Sequence, residues 1–299
     1  MDYYFRIAQQ TVRFRASEKW LVQLPNYAPF RTLRATAKPL FSLSSKRLRE
    51  GQYYQPQNWK ELLIDKNEPD MPRIEIYRNE KKQWLIRVAP TADAPICAET
   101  LCEKDFKHAQ LFIAPECEDI RFCFDNAAML LYAFTTAKLR TLEMHAAAVV
   151  HQGKAVLFLG HSGTGKSTHA RQWLAQYHDA WLLNDDNPIL RIENNGQLYV
   201  YGSPWSGKAP CYRNTMMPVA AIVQLQQASQ NRLEKMSNAE AYAHMLSSCS
   251  GLKIEKKMMD GLHPTISDVV LRTPMYKLEC LPDKQAAQLC HTLLDANTQ

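Results

Sequence analysis

An α/β fold with mixed sheets is what this sequence predicts, and three observations carry the prediction. Short apolar runs, Met144–Val150, Ala155–Leu159 and Ala180–Leu183, have the length and bulk of buried strands. A helical stretch, Ser167–Tyr177, lies between the second and third of them. Seven of the ten glycines fall within residues 153–207 and none lies between Gly51 and Gly153. Glycine serves where backbone takes positive φ or approaches a ligand closely, so a site built from loops is expected in that window.

The elements follow in order. Tyr3–Arg15 reads as a strand, and Leu24–Gln57, rich in Pro, Arg and Ser, as irregular. Arg73–Val88 alternates Ile74 and Ile76, then Trp84, Ile86 and Val88, around the polar tip Asn79–Lys82, which predicts a hairpin. Gln110–Ala114 and Ile120–Phe124 are strand candidates. Asn126–Arg140 is a predicted helix with Asp125 or Asn126 as its cap. Beyond the three apolar strands, Pro188–Glu193 and Gln197–Tyr201 bracket an Asn-Gly turn. Val219–Leu225, Val269–Arg272 and Met275–Leu278 read as strands, and Ala239–Ser248 and Asp283–Asp295 as helices. The character of the chain changes near residue 140. This gives a β-rich region over 1–140 and an α/β unit over 141–299.

Composition excludes several classes. With 46% hydrophobic and 22% charged residues, the 299-residue chain is neither fibrous nor disordered as a whole. Its eight cysteines contain no CxxC pair, which argues against a structural zinc site and for reduced thiols. The first twenty residues carry Arg6, Arg13 and Arg15 where a signal peptide has its apolar stretch, and no run approaches a membrane span. A cytoplasmic protein without a membrane partner is expected. The net charge is +6, and residues 1–50 hold ten Lys/Arg against three acids. That segment reads as a solvated basic face. No nucleic-acid-binding motif accompanies it, so nucleic acid is not an expected partner. Self-association is left open.

Residues 160–167 read Gly160-His161-Ser162-Gly163-Thr164-Gly165-Lys166-Ser167, followed by Thr168, and fit GxxxxGK[ST] in full. An apolar strand precedes the motif and a helix follows it, the context the motif requires. Such a loop binds nucleotide: converging N–H groups and the helix N-terminus cradle phosphates, Lys166 reaches the β- and γ-phosphates, and Ser167 places its hydroxyl on Mg²⁺. ATP and Mg²⁺ are the expected cofactors. Asp185 and Asp186 close the third strand, and two carboxylates beside a phosphate loop can hold a metal or take a proton. Asp185 stands only nineteen residues after Lys166, which leaves room for a single helix.

These residues resemble the catalytic domain of HPr kinase/phosphorylase, whose nucleotide-binding fold is shared with ATP-dependent phosphoenolpyruvate carboxykinase. The resemblance rests on the loop Gly160–Ser167, on Asp185-Asp186 after a Leu-Leu pair, and on His145 fifteen residues before Gly160. It covers roughly residues 145–190. It implies a P-loop kinase-like catalytic domain over 141–299 and an ATP-dependent phosphotransferase acting on a serine or other hydroxyl of a peptide, protein or small molecule. Asp186 would be the general base. Asp185 would support it or the metal. His145 would sit near the γ-phosphate or orient an aspartate. Ala146 replaces the family's glycine after the histidine, and its second signature stretch has no clear counterpart. In that place stand Gly202–Lys208, with Trp205 and Lys208, and then Arg213, as candidates for substrate contact. Two other readings remain: a carboxykinase-like enzyme, and a nucleotide-responsive binding protein without catalysis.

Overall fold

A computed structural model describes residues 1–33, 38–49, 59–65, 71–207 and 209–294. The chain divides into two compact units, Met1–Thr135 and Thr136–Gln299. Both are mixed sheets with helices, an α/β architecture. Among the described residues no helix is long and apolar enough to cross a membrane.

The first unit holds β1 (Asp2–Ile7), β2 (Gln10–Arg15), the short helix α1 (Glu18–Leu21), β3 (Arg31–Thr32), β4 (Ser42–Arg47), β5 (Trp59–Asp65), β6 (Arg73–Asn79), β7 (Trp84–Ala89), β8 (Ala98–Cys102), β9 (His108–Ile113) and α2 (Ile120–Thr136). The strands form one sheet in the order β3-β1-β2-β4-β9-β8-β7-β6-β5. The β6–β7 hairpin is the one its alternation predicts. Phe5, Phe14 and Tyr27 pack on one another, and Phe14 meets Phe124 of α2, with ring centroids 5.0–5.6 Å apart.

Three expectations for this unit are corrected, the first that Leu24–Gln57 is irregular: it carries β3 and β4, and residues 34–37 and 50–57 of it lie outside the described residues. The stretch Tyr3–Arg15 is a hairpin and not one strand. Ala8 and Gln9 take positive φ, 42° and 66°, in a turn that usually shows itself by glycine or asparagine. Ile120–Phe124 is the first turn and a half of α2. Asp119 caps it by accepting from the Phe122 N–H at 2.8 Å, so Asp125 lies inside the helix, bonded to Asn26 at 2.8 Å. A short apolar run has no period of its own to separate strand from helix. Part of the basic segment is occupied internally: Arg15 pairs with Asp2 at 2.8 Å, and Arg47 donates to three main-chain carbonyls.

The second unit holds β10 (Thr141–Glu143), β11 (Ala146–His151), β12 (Lys154–Leu159), α3 (Lys166–Gln176), β13 (Trp181–Asn184), β14 (Ile189–Ile192), β15 (Leu198–Tyr201), β16 (Met216–Gln227), β17 (Arg232–Lys235), α4 (Asn238–Ser248), α5 (Lys256–Arg272), β18 (Met275–Cys280) and α6 (Lys284–His291). β11 pairs antiparallel with both β12 and β13, and β16 pairs parallel with β12 and β18. β12, β13, β16 and β18 therefore share one direction. Ala147 and Val149 of β11 and Val156 and Phe158 of β12 pack under α3 and α6 through Ala170, Trp173, Ala286 and Cys290. The alternate residues Ala148, Val150, Leu157 and Leu159 are equally buried, so these strands are covered on both faces.

The expected strand Val269–Arg272 is instead the end of α5. Gly261 and Pro264 are poor helix residues, yet Met258, Leu262, Ile266 and Val269 recur at helical spacing and are buried, and that burial outweighs propensity. A side chain at Gly261 would come within 2.4 Å of the Ala137 carbonyl. Asp283 caps α6 by accepting from the Ala286 N–H at 2.9 Å.

His169 sits in the core of this unit, where its Nε2 accepts from the Trp173 indole at 3.3 Å. Burial pushes it down to about 4. The folded chain keeps the ring neutral while the unfolded chain charges it below about pH 6.5. Stability is therefore expected to fall by about 3 kcal/mol as pH drops from 6.5 to 4, and a His169→Gln variant should lose much of that slope in urea unfolding.

Candidate functional site

The topology gathers the site at one edge of the second sheet. β12 and β13 both end there, and β11, which runs between them in the opposite sense, begins there. The residues at those three ends are Gly160, Asp185-Asp186 and His145. The register seals the arrangement: the Ala146 N–H donates to the Asp186 carbonyl at 2.9 Å, and Ala146 pairs with Leu159 across β11 and β12.

Gly160–Gly165 turns from β12 into α3. Gly165 is the residue before the helix and takes φ 105°, which a β-carbon would strain. No side chain caps α3 and no acid lies in its first turn, so its first N–H groups point into the loop with the positive end of the helix dipole. His161, Ser162 and Gly163 are exposed, Thr164 and Thr168 are half-buried, and Ser167 is exposed. Thr164 closes the loop on itself through a 2.7 Å bond to the His161 carbonyl, and Gln227, at the end of β16, donates to the Gly163 carbonyl at 3.2 Å.

Lys166 is buried, and its Nζ donates to the carbonyls of Gly160 at 2.7 Å and His161 at 3.2 Å. It also donates to His145 Nε2 at 2.9 Å. That bond assigns the histidine tautomer: with Nε2 accepting, Nδ1 carries the proton, and it faces Asp186 Oδ1 at 3.3 Å. Lys166, His145 and Asp186 thus stand in one row, with Lys166 hydrogen-bonded to His145 and His145 at ion-pair distance from Asp186. Burial pulls the lysine down from its usual range, and the charges of Asp186 and Asp185 act against that pull.

Asp185 is buried, and burial raises its carboxyl above the usual value. The Ser167 hydroxyl and the Ala209 main chain work to lower it, while the Asp186 charge adds to the rise. Its Oδ1 is buried without a hydrogen-bond partner. Asp186 is half-exposed, and its Oδ2 accepts from Asn187 Nδ2 at 2.9 Å. The donors of the loop fit an anion, and Ser167 with Asp185 fits a hard cation. Among the described residues no three His, Cys, Asp or Glu side chains are grouped to hold a metal by themselves. A cation at Asp185 would therefore draw further oxygens from a bound phosphate.

The Gly202–Gly207 stretch reaches the acidic pair at Gly207. A β-carbon at Gly207 would come 3.4 Å from Asp186 Cβ. Gly202 is confined by backbone, with a β-carbon there only 2.0 Å from the Arg213 carbonyl. Trp205 is buried, so its ring is part of the packing and not a surface contact. Arg213 is exposed, with its guanidinium over Trp181 and its Nε donating to the Leu182 carbonyl at 2.9 Å. Lys208 lies outside the described residues.

Two residues that matter here escape the sequence reading. Asn184 is fully buried; its Nδ2 donates to Ser203 Oγ at 3.1 Å and the Trp205 carbonyl at 3.0 Å, and its Oδ1 accepts from the N–H groups of Asp186 at 2.9 Å and Asn187 at 2.8 Å. One amide thus ties the acidic turn to the loop above it. Asn184→Ala leaves these buried groups unpaired and is expected to cost at least about 3 kcal/mol in denaturant unfolding. Glu143, two residues before His145, is buried with both carboxyl oxygens unpartnered. Burial raises it well above the usual carboxylate range; Ser250 works the other way, and the Asp186 charge adds to the rise. The sequence held no signal for Glu143, which reads as an ordinary strand-end acid. For Asn184 the only cue was its place directly before the acidic pair.

No curated protein matches the chain. Among solved structures, the HPr(Ser) kinase/phosphatase from Coxiella burnetii is similar at 15% identity and a TM-score of 0.31, over 52% of this chain and 88% of that chain. This is a weak resemblance at the level of the fold. The family model described as SynChlorMet cassette protein ScmC matches residues 116–280. That match spans more than half of the sequence and takes in the loop, the acidic pair and His145, and the chain belongs to the ScmC family.

Proposed function

We propose that this chain is an ATP-dependent phosphotransferase that moves the γ-phosphoryl group of ATP to a serine or other hydroxyl on a peptide, protein or small molecule. The observation that carries the reading is the row Lys166–His145–Asp186, with spacings of 2.9 and 3.3 Å, set at the mouth of a glycine loop and an uncapped helix. A buried ammonium and free helix N–H groups suit the phosphates, and a carboxylate at the end of the same row suits an acceptor's proton.

The roles follow from the chemistry. The N–H groups of the loop and of the first turn of α3 bind and orient the phosphates. Lys166 neutralises charge on them. Asp186 takes the proton of the acceptor hydroxyl, and His145, donating through Nδ1, holds that carboxylate in position. Ser167 and Asp185 would hold Mg²⁺, which when bound would neutralise phosphate charge. Gly202–Gly207 with Arg213 borders the acceptor side.

Ser167→Ala is expected to weaken Mg²⁺-dependent ATP binding by about tenfold or more, and Ser167→Thr to keep it, in calorimetry with and without Mg²⁺. Identical binding by the wild type and the alanine variant contradicts the assignment. To test the reading as a whole, purified protein is incubated with γ-labelled MgATP and a panel of hydroxyl-bearing peptides and small molecules. Label on an acceptor supports transfer. Tight, saturable ATP binding with no transfer to any acceptor or to water points to a nucleotide-responsive binder.

A further inference from the structure

Three cysteines of the first unit converge far along the chain from the glycine loop. Cys117 precedes α2, Cys123 lies in the first turns of α2, and Cys97 immediately precedes β8. The Sγ atoms of Cys117 and Cys123 are 3.5 Å apart, and Cys123 Sγ donates to the Cys97 carbonyl at 3.7 Å. Cys123 is fully buried, Cys117 nearly so, and Cys97 half-buried. The turn that carries Cys117 is fixed from below: Arg47 donates to the carbonyls of Ala114 at 3.3 Å, Pro115 at 2.8 Å and Cys117 at 3.0 Å. The pair therefore sits in a held geometry, straddling the start of a helix much as a hydrophobic staple does.

The electrostatics separate the sulfurs. The hydrogen bond shared with Cys123 lowers Cys117 to about 6 against the effect of burial, helped by Cys97 and the Asp119 main chain. Cys123 is pushed strongly up, first by its bond to Cys117 and then by burial. Burial pushes Cys97 up to about 12. Cys117 is thus the sulfur that gives up its proton most readily, an asymmetry that suits oxidation by peroxide. The three are not grouped to hold a metal.

We propose that Cys117 and Cys123 form a peroxide-oxidisable thiol pair, with Cys117 the sulfur that reacts and Cys123 the one that closes the disulfide. The Cys117 thiolate attacks one oxygen of hydrogen peroxide. The O–O bond breaks, hydroxide leaves and is protonated to water, and the sulfur becomes a sulfenic acid. Cys123 gives up its proton and its sulfur attacks that of Cys117. The S–S bond forms as the S–O bond breaks, and the hydroxyl leaves with the proton as a second water. Two thiols lose two electrons and two protons, and one peroxide becomes two waters. The sulfurs must approach by about 1.5 Å to reach bonding distance.

The test treats the reduced full-length chain with hydrogen peroxide, blocks remaining thiols with N-ethylmaleimide under denaturing conditions, and maps peptides without reduction. The expected product is one Cys117–Cys123 cross-link, reversed by dithiothreitol, with Cys102 and Cys290 recovered as alkylated thiols. Cys117→Ser should lose the cross-link and leave Cys123 alkylated. Cys97→Ser should retain it, which covers the case in which the first variant fails to fold. Recovery of both Cys117 and Cys123 as free thiols, at a dose that oxidises the exposed Met216, overturns the proposal. So does a cross-link joining Cys117 to Cys97.

Discussion

Replacing Lys166 by alanine is expected to lower phosphoryl transfer by at least ~100-fold, the scale on which loss of one electrostatic stabiliser is felt. The argument is geometric. Its Nζ is fixed by the Gly160 and His161 carbonyls and by His145, so the charge is held in place over the loop. Alanine removes that charge and also the donor that sets the His145 tautomer, so the Nδ1–H facing Asp186 is no longer specified. Lys166→Arg keeps a charge but cannot fit the same three acceptors with a planar fork, and it should not restore the rate. Steady-state transfer, with circular dichroism to show that each variant folds, checks both. A fully active Lys166→Ala protein would remove the glycine loop from the mechanism.

Asp186→Asn should lower transfer by about 100- to 10,000-fold, the range attributed to a positioned general base, while MgATP binding holds or tightens. The amide keeps the volume, but its single oxygen can accept from only one of His145 and Asn187, and it cannot take a proton. It also removes a negative charge from the neighbourhood of the phosphates. Asp185→Asn should behave differently. That carboxyl is buried beside Ser167, with Oδ1 unpartnered, so its loss should weaken MgATP binding as well. Single-turnover transfer and ATP titration on both variants separate the two roles. If both transfer at the wild-type rate, the acidic pair is a turn and the base lies elsewhere.

Much of this site was legible because its parts are local. A glycine loop between a strand and a helix, and a pair of aspartates ending an apolar strand, are short-range patterns. What could not be read was the reason they meet, which lies in topology: β13 joins the sheet beside β11 and not beside β12. Asn184 was missed because a buried asparagine is told from a loop asparagine only by its partners, Ser203, Trp205, Asp186 and Asn187. Glu143 was missed because nothing in a sequence marks a carboxyl that folding will bury without hydrogen-bond partners. In the first unit, the β1–β2 turn hid because Ala8 and Gln9 adopt backbone that glycine or asparagine normally announces. α2 began earlier than its alanine-rich portion suggested, since Ile120–Phe124 fits either period. α5 was hidden by Gly261 and Pro264, whose cost is outweighed by the buried stripe of Met258, Leu262, Ile266 and Val269.

The central claim is that the backbone of Gly160–Thr168 holds nucleotide phosphates next to Asp185 and Asp186. Hydrogen exchange read by mass spectrometry, with and without MgATP, tests it most directly, because those N–H groups are themselves the proposed ligands. The account predicts slowed exchange in the peptide spanning residues 160–168, with a smaller effect at 184–187, and none of it in Lys166→Ala. Unchanged exchange there at saturating MgATP, or protection confined to some other segment, would contradict it.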